Sequence, residues 1–103
     1  MSTLHPSSVE RLGNSYFDGK VTSRTLRFAD GSKKTLGFMQ IGEYRFSTAQ
    51  AERMDIQQGR VEVRLPNEAQ WREFSNGQSF DVPADSAFDI RALSLTDYCC
   101  HYL

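Results

Sequence analysis

Sustained helical periodicity is missing from this chain of 103 residues: no segment of about twelve residues repeats its apolar positions every three or four. Cysteine is scarce. Cys99 and Cys100 are too few for a disulfide framework and, as neighbours, poorly placed to bridge each other, which fits a reducing compartment. The two histidines, His5 and His101, fall short of a transition-metal site, which needs three or four N, S or O donors converging on one point. No run of about 18 apolar residues is present to span a membrane, and the opening MSTLHPSSVERLG lacks the apolar stretch of a signal peptide. An excess of one charge is missing as well. With 12 Lys plus Arg against 13 Asp plus Glu, a net charge of -1 offers no footprint for a nucleic-acid polymer or an anionic membrane. These absences predict a cytoplasmic protein whose partners are neither polymer nor bilayer.

What is present is punctuation. From Tyr16 onward, turn residues recur at Gly19, Asp30-Gly31, Gly42, Gly59, Pro66-Asn67, Asn76-Gly77 and Pro83, with short alternating segments between them. Asp30-Gly31 predicts a hairpin between Thr25–Ala29 and Lys34–Met39. In EYRFST the alternation puts Tyr44, Phe46 and Thr48 on one face. RVEVRL, QSFDV, AFDIRA and DYCCHYL continue the pattern, with Val61, Val63 and Leu65, then Phe80 and Val82, then Phe88 and Ile90 facing inward. At this length one core and one domain are expected over residues 14–103. Residues 1–13 form an N-terminal arm, loosely held, with a helical turn at Ser8–Leu12. Eight to ten short antiparallel strands need edge protection, which a closed barrel or a double-sheet jelly roll supplies.

The turn and acidic residues fall at the spacing of the cupin superfamily, whose first motif is HxH, a Glu three or four residues later and a Gly seven beyond. Phe46-Ser47-Thr48, Glu52 and Gly59 occupy those positions, and Gly77, Pro83, Asp85 and Phe88 occupy those of the second motif. The chain thus resembles a cupin-type jelly-roll β-barrel in which Phe46, Thr48 and Phe88 replace all three metal-ligating histidines. Glu52 alone does not make a metal site. No metal and no cofactor are expected.

A closer resemblance runs over residues 14–103. NSYFDGKV, GEYRFST, the Glu-Arg-Met at 52–54, RLP, the Trp71 segment, FDVP and the terminal CHYL are, as a combination, similar to the small bacterial pyrimidine/purine nucleoside phosphorylase family. That resemblance implies a pentosyltransferase activity: a nucleoside plus inorganic phosphate gives free base and ribose 1-phosphate, reversibly and with broad tolerance of purine and pyrimidine bases. Phosphate is then a co-substrate.

Phosphorolysis passes through an oxocarbenium-like ribosyl group attacked at C1′ by a phosphate oxygen, so no side-chain nucleophile has to be activated. The pocket must supply an anion site, a hold on the ribose hydroxyls and a platform for the base. Aromatic faces stack on any base, and the inward candidates are Tyr44, Phe46, Phe88 and Tyr102. Glu52 is the candidate catalytic residue, because a carboxylate accepts ribose hydroxyls and steadies positive charge at C1′. Thr48 is a candidate donor to phosphate or ribose. Lys20, followed by Arg91 and His101, are the candidate phosphate ligands. Arg24, Arg27, Lys33 and Lys34 read as a solvated hairpin face, and Cys100 as a small inward hydrophobe.

Two other readings stay open: a non-catalytic cupin that binds a nucleoside or sugar, and a structural dimerisation module suggested by 12 aromatic residues in so short a chain. A homodimer is compatible with all three, and the cupin resemblance implies one.

Overall fold

The alternating segments form eleven strands: β1 (Ser8–Val9), β2 (Asn14–Tyr16), β3 (Val21–Arg27), β4 (Lys33–Met39), β5 (Gly42–Ser47), β6 (Glu52–Gln58), β7 (Arg60–Arg64), β8 (Arg72–Ser75), β9 (Ser79–Val82), β10 (Ala87–Ala92) and β11 (Thr96–Tyr102). The structure, a computed structural model, describes residues 3–103, and no helix occurs among them. The Asp30-Gly31 hairpin forms between β3 and β4, with the Asp30 carboxylate accepting the Ser32 backbone N–H at 2.8 Å. The helical turn expected at Ser8–Leu12 is absent. Ser8 and Val9 instead pair with Arg27 and Leu26, and the Glu10 N–H donates to the Thr25 carbonyl, so the arm lies along the edge of β3.

Two antiparallel sheets pack face to face. The larger has the order β1-β3-β4-β11-β6-β9, with β2 also pairing with β3; the smaller has the order β5-β10-β7-β8. All-β character is as expected, but the closed barrel is not: among the described residues neither sheet closes on itself. The edge strands are β1 and β9 in the large sheet and β5 and β8 in the small one, and no ladder joins them; Gly59 links the interior strands β6 and β7. Its φ of 118° lies in the left-handed half of the map, and a Cβ there would stand 2.6 Å from the Thr96 Oγ1. The chain changes sheet there through a sharp turn that suits glycine. Asp85, at the second motif's glycine position, also adopts a left-handed φ of 52°.

Inward residues of both sheets interdigitate, as when Phe80 of β9 meets Phe74 of β8 at 5.0 Å and Phe88 of β10 at 5.7 Å between ring centroids. Val61, Val63, Ile90 and Ile56 are completely buried between the layers. Burial of each such side chain contributes about 1.5–3 kcal/mol.

The outer face of the small sheet is held by charge. Asp89 accepts hydrogen bonds from Arg45 at 3.0 and 3.1 Å and from Arg64 at 2.9 Å, with its own side chain only 12% exposed. The bonds from Arg64 and then Arg45 outweigh burial and hold the Asp89 carboxyl below its ordinary value. A depressed carboxylate stabilises the fold above its unfolded pKa and loses that contribution as pH falls through the folded one. Asp89→Asn is therefore expected to cost about 1–3 kcal/mol at pH 7, toward the lower end because both guanidinium groups are largely solvated. Thermal melts should show the gap at neutral pH and its closing in acid below the ordinary aspartate range; a constant gap would contradict the assignment.

Candidate active site

At one end of the sandwich the layers separate around a cavity of about 210 Å³ that opens to solvent. Register decides what lines it. On the large sheet, Glu52 pairs across strands with Tyr102, Met54 with Cys100, and Cys100 in turn with Thr35; one row deeper, Tyr98 pairs with Gly37. Inward side chains of these rows make a polar wall of Glu52, Tyr98, Cys100, Tyr102 and Thr35. The facing wall is apolar. Phe46 of β5 and Phe88 of β10 are cross-strand partners whose rings stack at 5.8 Å with an interplanar angle of 26°.

The depth of the polar wall depends on Gly37. A Cβ at this residue would lie 2.1 Å from the Tyr98 Cζ, so the phenol ring occupies the space that any larger residue would fill. Tyr98 thereby lies flat over β4 and leaves the centre of the cavity open.

Glu52 sits half-buried at the mouth, where loss of solvent raises its carboxyl above the ordinary value, partly offset by the Cys100 thiol, which donates to Oε1 at 3.4 Å. Burial also pushes the Tyr102 phenol up to about 12, with the neighbouring Cys100 and Glu52 charges adding to it. Burial likewise raises the Cys100 thiol, and both Cys99 and Cys100 are free and buried. At neutral pH the wall is one carboxyl group among neutral donors, not a row of nucleophiles.

Tyr16 reaches the mouth from β2. The turn that follows is strained, because Phe17 and Asp18 both have left-handed φ, 54° and 55°, a conformation that a bulky non-glycine residue rarely adopts. What holds it is packing: the Phe17 ring lies 5.0 Å from Tyr44 and 5.4 Å from Phe46.

Of the residues expected from sequence, Glu52, Phe46, Phe88 and Tyr102 line the cavity together. The placement of the others is corrected. Tyr44 lies behind Phe46, with its phenol donating to the Gln40 carbonyl at 2.7 Å. Thr48 is buried at the end of β5, where its hydroxyl donates to the Pro83 carbonyl at 2.7 Å and accepts from the Ser86 N–H, closing the loop before β10. Arg91 points from the outer face of the small sheet, bound to Glu43 at 2.8 Å and stacked on Trp71. His101 points from the outer face of the large sheet to Asp55. Lys20 lies in the exposed turn after Gly19, away from the lining.

Sequence reasoning missed Tyr98, Thr35 and Tyr16. Period-two alternation from Tyr102 through Cys100 leads to Tyr98, so that signal was available. The three positions of the missing cupin histidines hold Phe46, Thr48 and Phe88, and among the described residues no three His, Cys, Asp or Glu side chains cluster as ligands would.

A protein of Sulfurovum sp. (strain NBC37-1) named pyrimidine/purine nucleoside phosphorylase is 57% identical over 103 residues, covering all of both chains. A crystal structure of a protein of unknown function from Acinetobacter sp. ADP1 superposes with a TM-score of 0.91 at 38% identity, covering 93% of each chain. An RmlC-like cupin from Shewanella frigidimarina shares the fold, with a TM-score of 0.73 at 15% identity over 97% of this chain and 90% of its own. The sequence profile of the pyrimidine/purine nucleoside phosphorylase family matches residues 12–102, and the chain belongs to that family.

Proposed function

We propose that this protein is a nucleoside phosphorylase of broad base tolerance, converting purine and pyrimidine nucleosides plus phosphate to free base and ribose 1-phosphate, reversibly and without a metal. The observation that carries the reading is the two-faced cavity: stacked Phe46 and Phe88 oppose a wall of Glu52, Tyr98 and Tyr102 in a chain of this family. The base stacks on the aromatic wall, which asks little of its hydrogen-bonding edge and so suits many bases. The ribose hydroxyls meet Glu52 and the phenols. As the C1′–N bond breaks, its electron pair leaves with the base, which takes a proton from water. Positive charge at C1′ is steadied by the Glu52 carboxylate until a phosphate oxygen forms the new C1′–O bond.

The protein is expected to act in the cytoplasm as a homodimer. The exposed Leu36 and Phe38 on the outward face of β4 support a second copy of the chain as the occupant of that face.

The test is a panel of purine and pyrimidine nucleosides incubated with purified protein, with and without phosphate. Free base and ribose 1-phosphate are expected only when phosphate is present. Ligand-induced thermal shifts with no product would favour the binding-module reading instead, and the absence of both shift and product would overturn each.

A further inference from the structure

The cavity contains no cation among its lining residues, yet phosphorolysis brings in a dianion. Candidates narrow quickly. Every arginine from Arg27 onward is paired with an Asp or Glu. Arg24 donates to the Arg11 carbonyl at 2.6 Å, Lys34 lies over the Phe28 ring, and Lys20 stands in the exposed turn beyond β2.

Lys33 differs from all of these. It begins β4 on the same face as Thr35, and its ammonium lies over the ring of Tyr102, 4.6 Å from the centroid. Tyr102 is the cross-strand partner of Glu52 and lines the cavity. The outermost inward row of the large sheet thus runs Lys33, Tyr102, Glu52 from cation to phenol to carboxyl. Among the described residues no carboxylate pairs with Lys33. Resting on an aromatic face is an economical position for an ammonium awaiting an anion, since the ring holds it in place without neutralising it. Size points the same way: about 210 Å³ falls below the roughly 300–1,000 Å³ of sites that enclose a whole ligand. A nucleoside filling the cavity leaves its second reactant at the rim, and Lys33 rests on the lining residue Tyr102 without itself lining the cavity.

We propose that Lys33 is the phosphate-binding residue of this enzyme, holding inorganic phosphate at the cavity mouth above Tyr102. This rests on the phosphorolysis reading. The experiment measures the KM of phosphate and of a nucleoside separately for the wild type, Lys33→Met, Lys33→Arg and Lys20→Met. Methionine keeps the apolar stem over Tyr102 and removes the charge. Lys33→Met is expected to raise the phosphate KM at least tenfold with the nucleoside KM nearly unchanged, Lys33→Arg to restore most of the loss, and Lys20→Met to match the wild type. A wild type that releases no base would fail the functional reading itself. An active wild type whose phosphate KM is unmoved in Lys33→Met overturns the proposal, as does a fall in kcat alone, which would mean that Lys33 only braces Tyr102. Circular dichroism and melting of Lys33→Met are expected to match the wild type; if that variant misfolds, the Lys33→Arg phosphate KM decides, and a rise as large as tenfold there counts against the assignment.

Discussion

Glu52→Gln is expected to lower kcat/KM for nucleoside phosphorolysis by about 10²–10³, the cost of removing one preorganised electrostatic group aimed at developing charge. The amide keeps an oxygen where the carboxylate accepts the Cys100 thiol, so the wall should stay in place. What it removes is the negative charge facing C1′. Stability should move the other way or not at all. Burial raises the Glu52 carboxyl, so the folded state holds its proton more tightly than the unfolded chain, and ionising it costs stability as pH rises from the ordinary glutamate value through the raised one. At pH 7 the glutamine variant avoids that cost and should melt no lower than the wild type. The activity profile should carry the same signature: wild-type kcat/KM rises with pH as Glu52 ionises, on a limb above the ordinary glutamate range, and that limb disappears in Glu52→Gln. A variant that keeps wild-type turnover, or that loses turnover by unfolding, would refute the role.

Gly37→Ala is expected to reduce kcat/KM by about 100-fold through the added methyl group alone. The new Cβ would stand 2.1 Å from the Tyr98 Cζ and 2.4 Å from its hydroxyl oxygen, whereas ordinary contact begins at 3.4 Å. The ring must move by more than an ångström, and a displacement of that size at a reacting centre is worth about two orders of magnitude. β4 lies behind it, so the ring moves toward the cavity. The displaced ring belongs to the core, so stability should fall as well, by about 1–3 kcal/mol. The double variant Gly37→Ala with Tyr98→Ala supplies the check: if the phenol is the obstacle, the methyl group should cost almost nothing once the ring is gone, and the two changes should be strongly non-additive. Additive effects would show that the strand, not the ring, has been disturbed.

Alternation shows which residues share a face, and that much of the site was legible. Phe46 and Phe88 were placed inward this way and Glu52 by the motif spacing, while alternation turns outward two residues that were chosen with them. His101 neighbours the inward Tyr102 and Arg91 neighbours the inward Ile90, so period two turns both outward. Lys33 shares its face with Thr35 and Met39, but a lysine in a charged hairpin reads as solvated until Tyr102 is known to lie beside it. That contact joins residues about seventy positions apart, and local periodicity carries no register. The same holds for Tyr98 over Gly37 and for the sheet order that leaves the layers open. Lys20 lies away from the lining for another reason: two successive left-handed residues, Phe17 and Asp18, redirect the chain, and although Asp18-Gly19 signals a turn, nothing in Phe17 announces its left-handed conformation.

The aromatic wall on one sheet and the hydroxyl-and-carboxyl wall on the other put the two proposed tasks on layers that share no hydrogen-bond ladder. Substitutions on β5 and β10 reshape the surface met by the base, while the strands carrying Glu52, Tyr98 and Tyr102 stay unchanged. Under the proposed chemistry, a lineage could drift toward one nucleobase or broaden to several by exchanging side chains on the small sheet, without repeatedly passing through inactive intermediates. A two-layer scaffold gains adaptability of this kind, because the residues proposed to meet the base and those proposed to assist bond breaking need not mutate together.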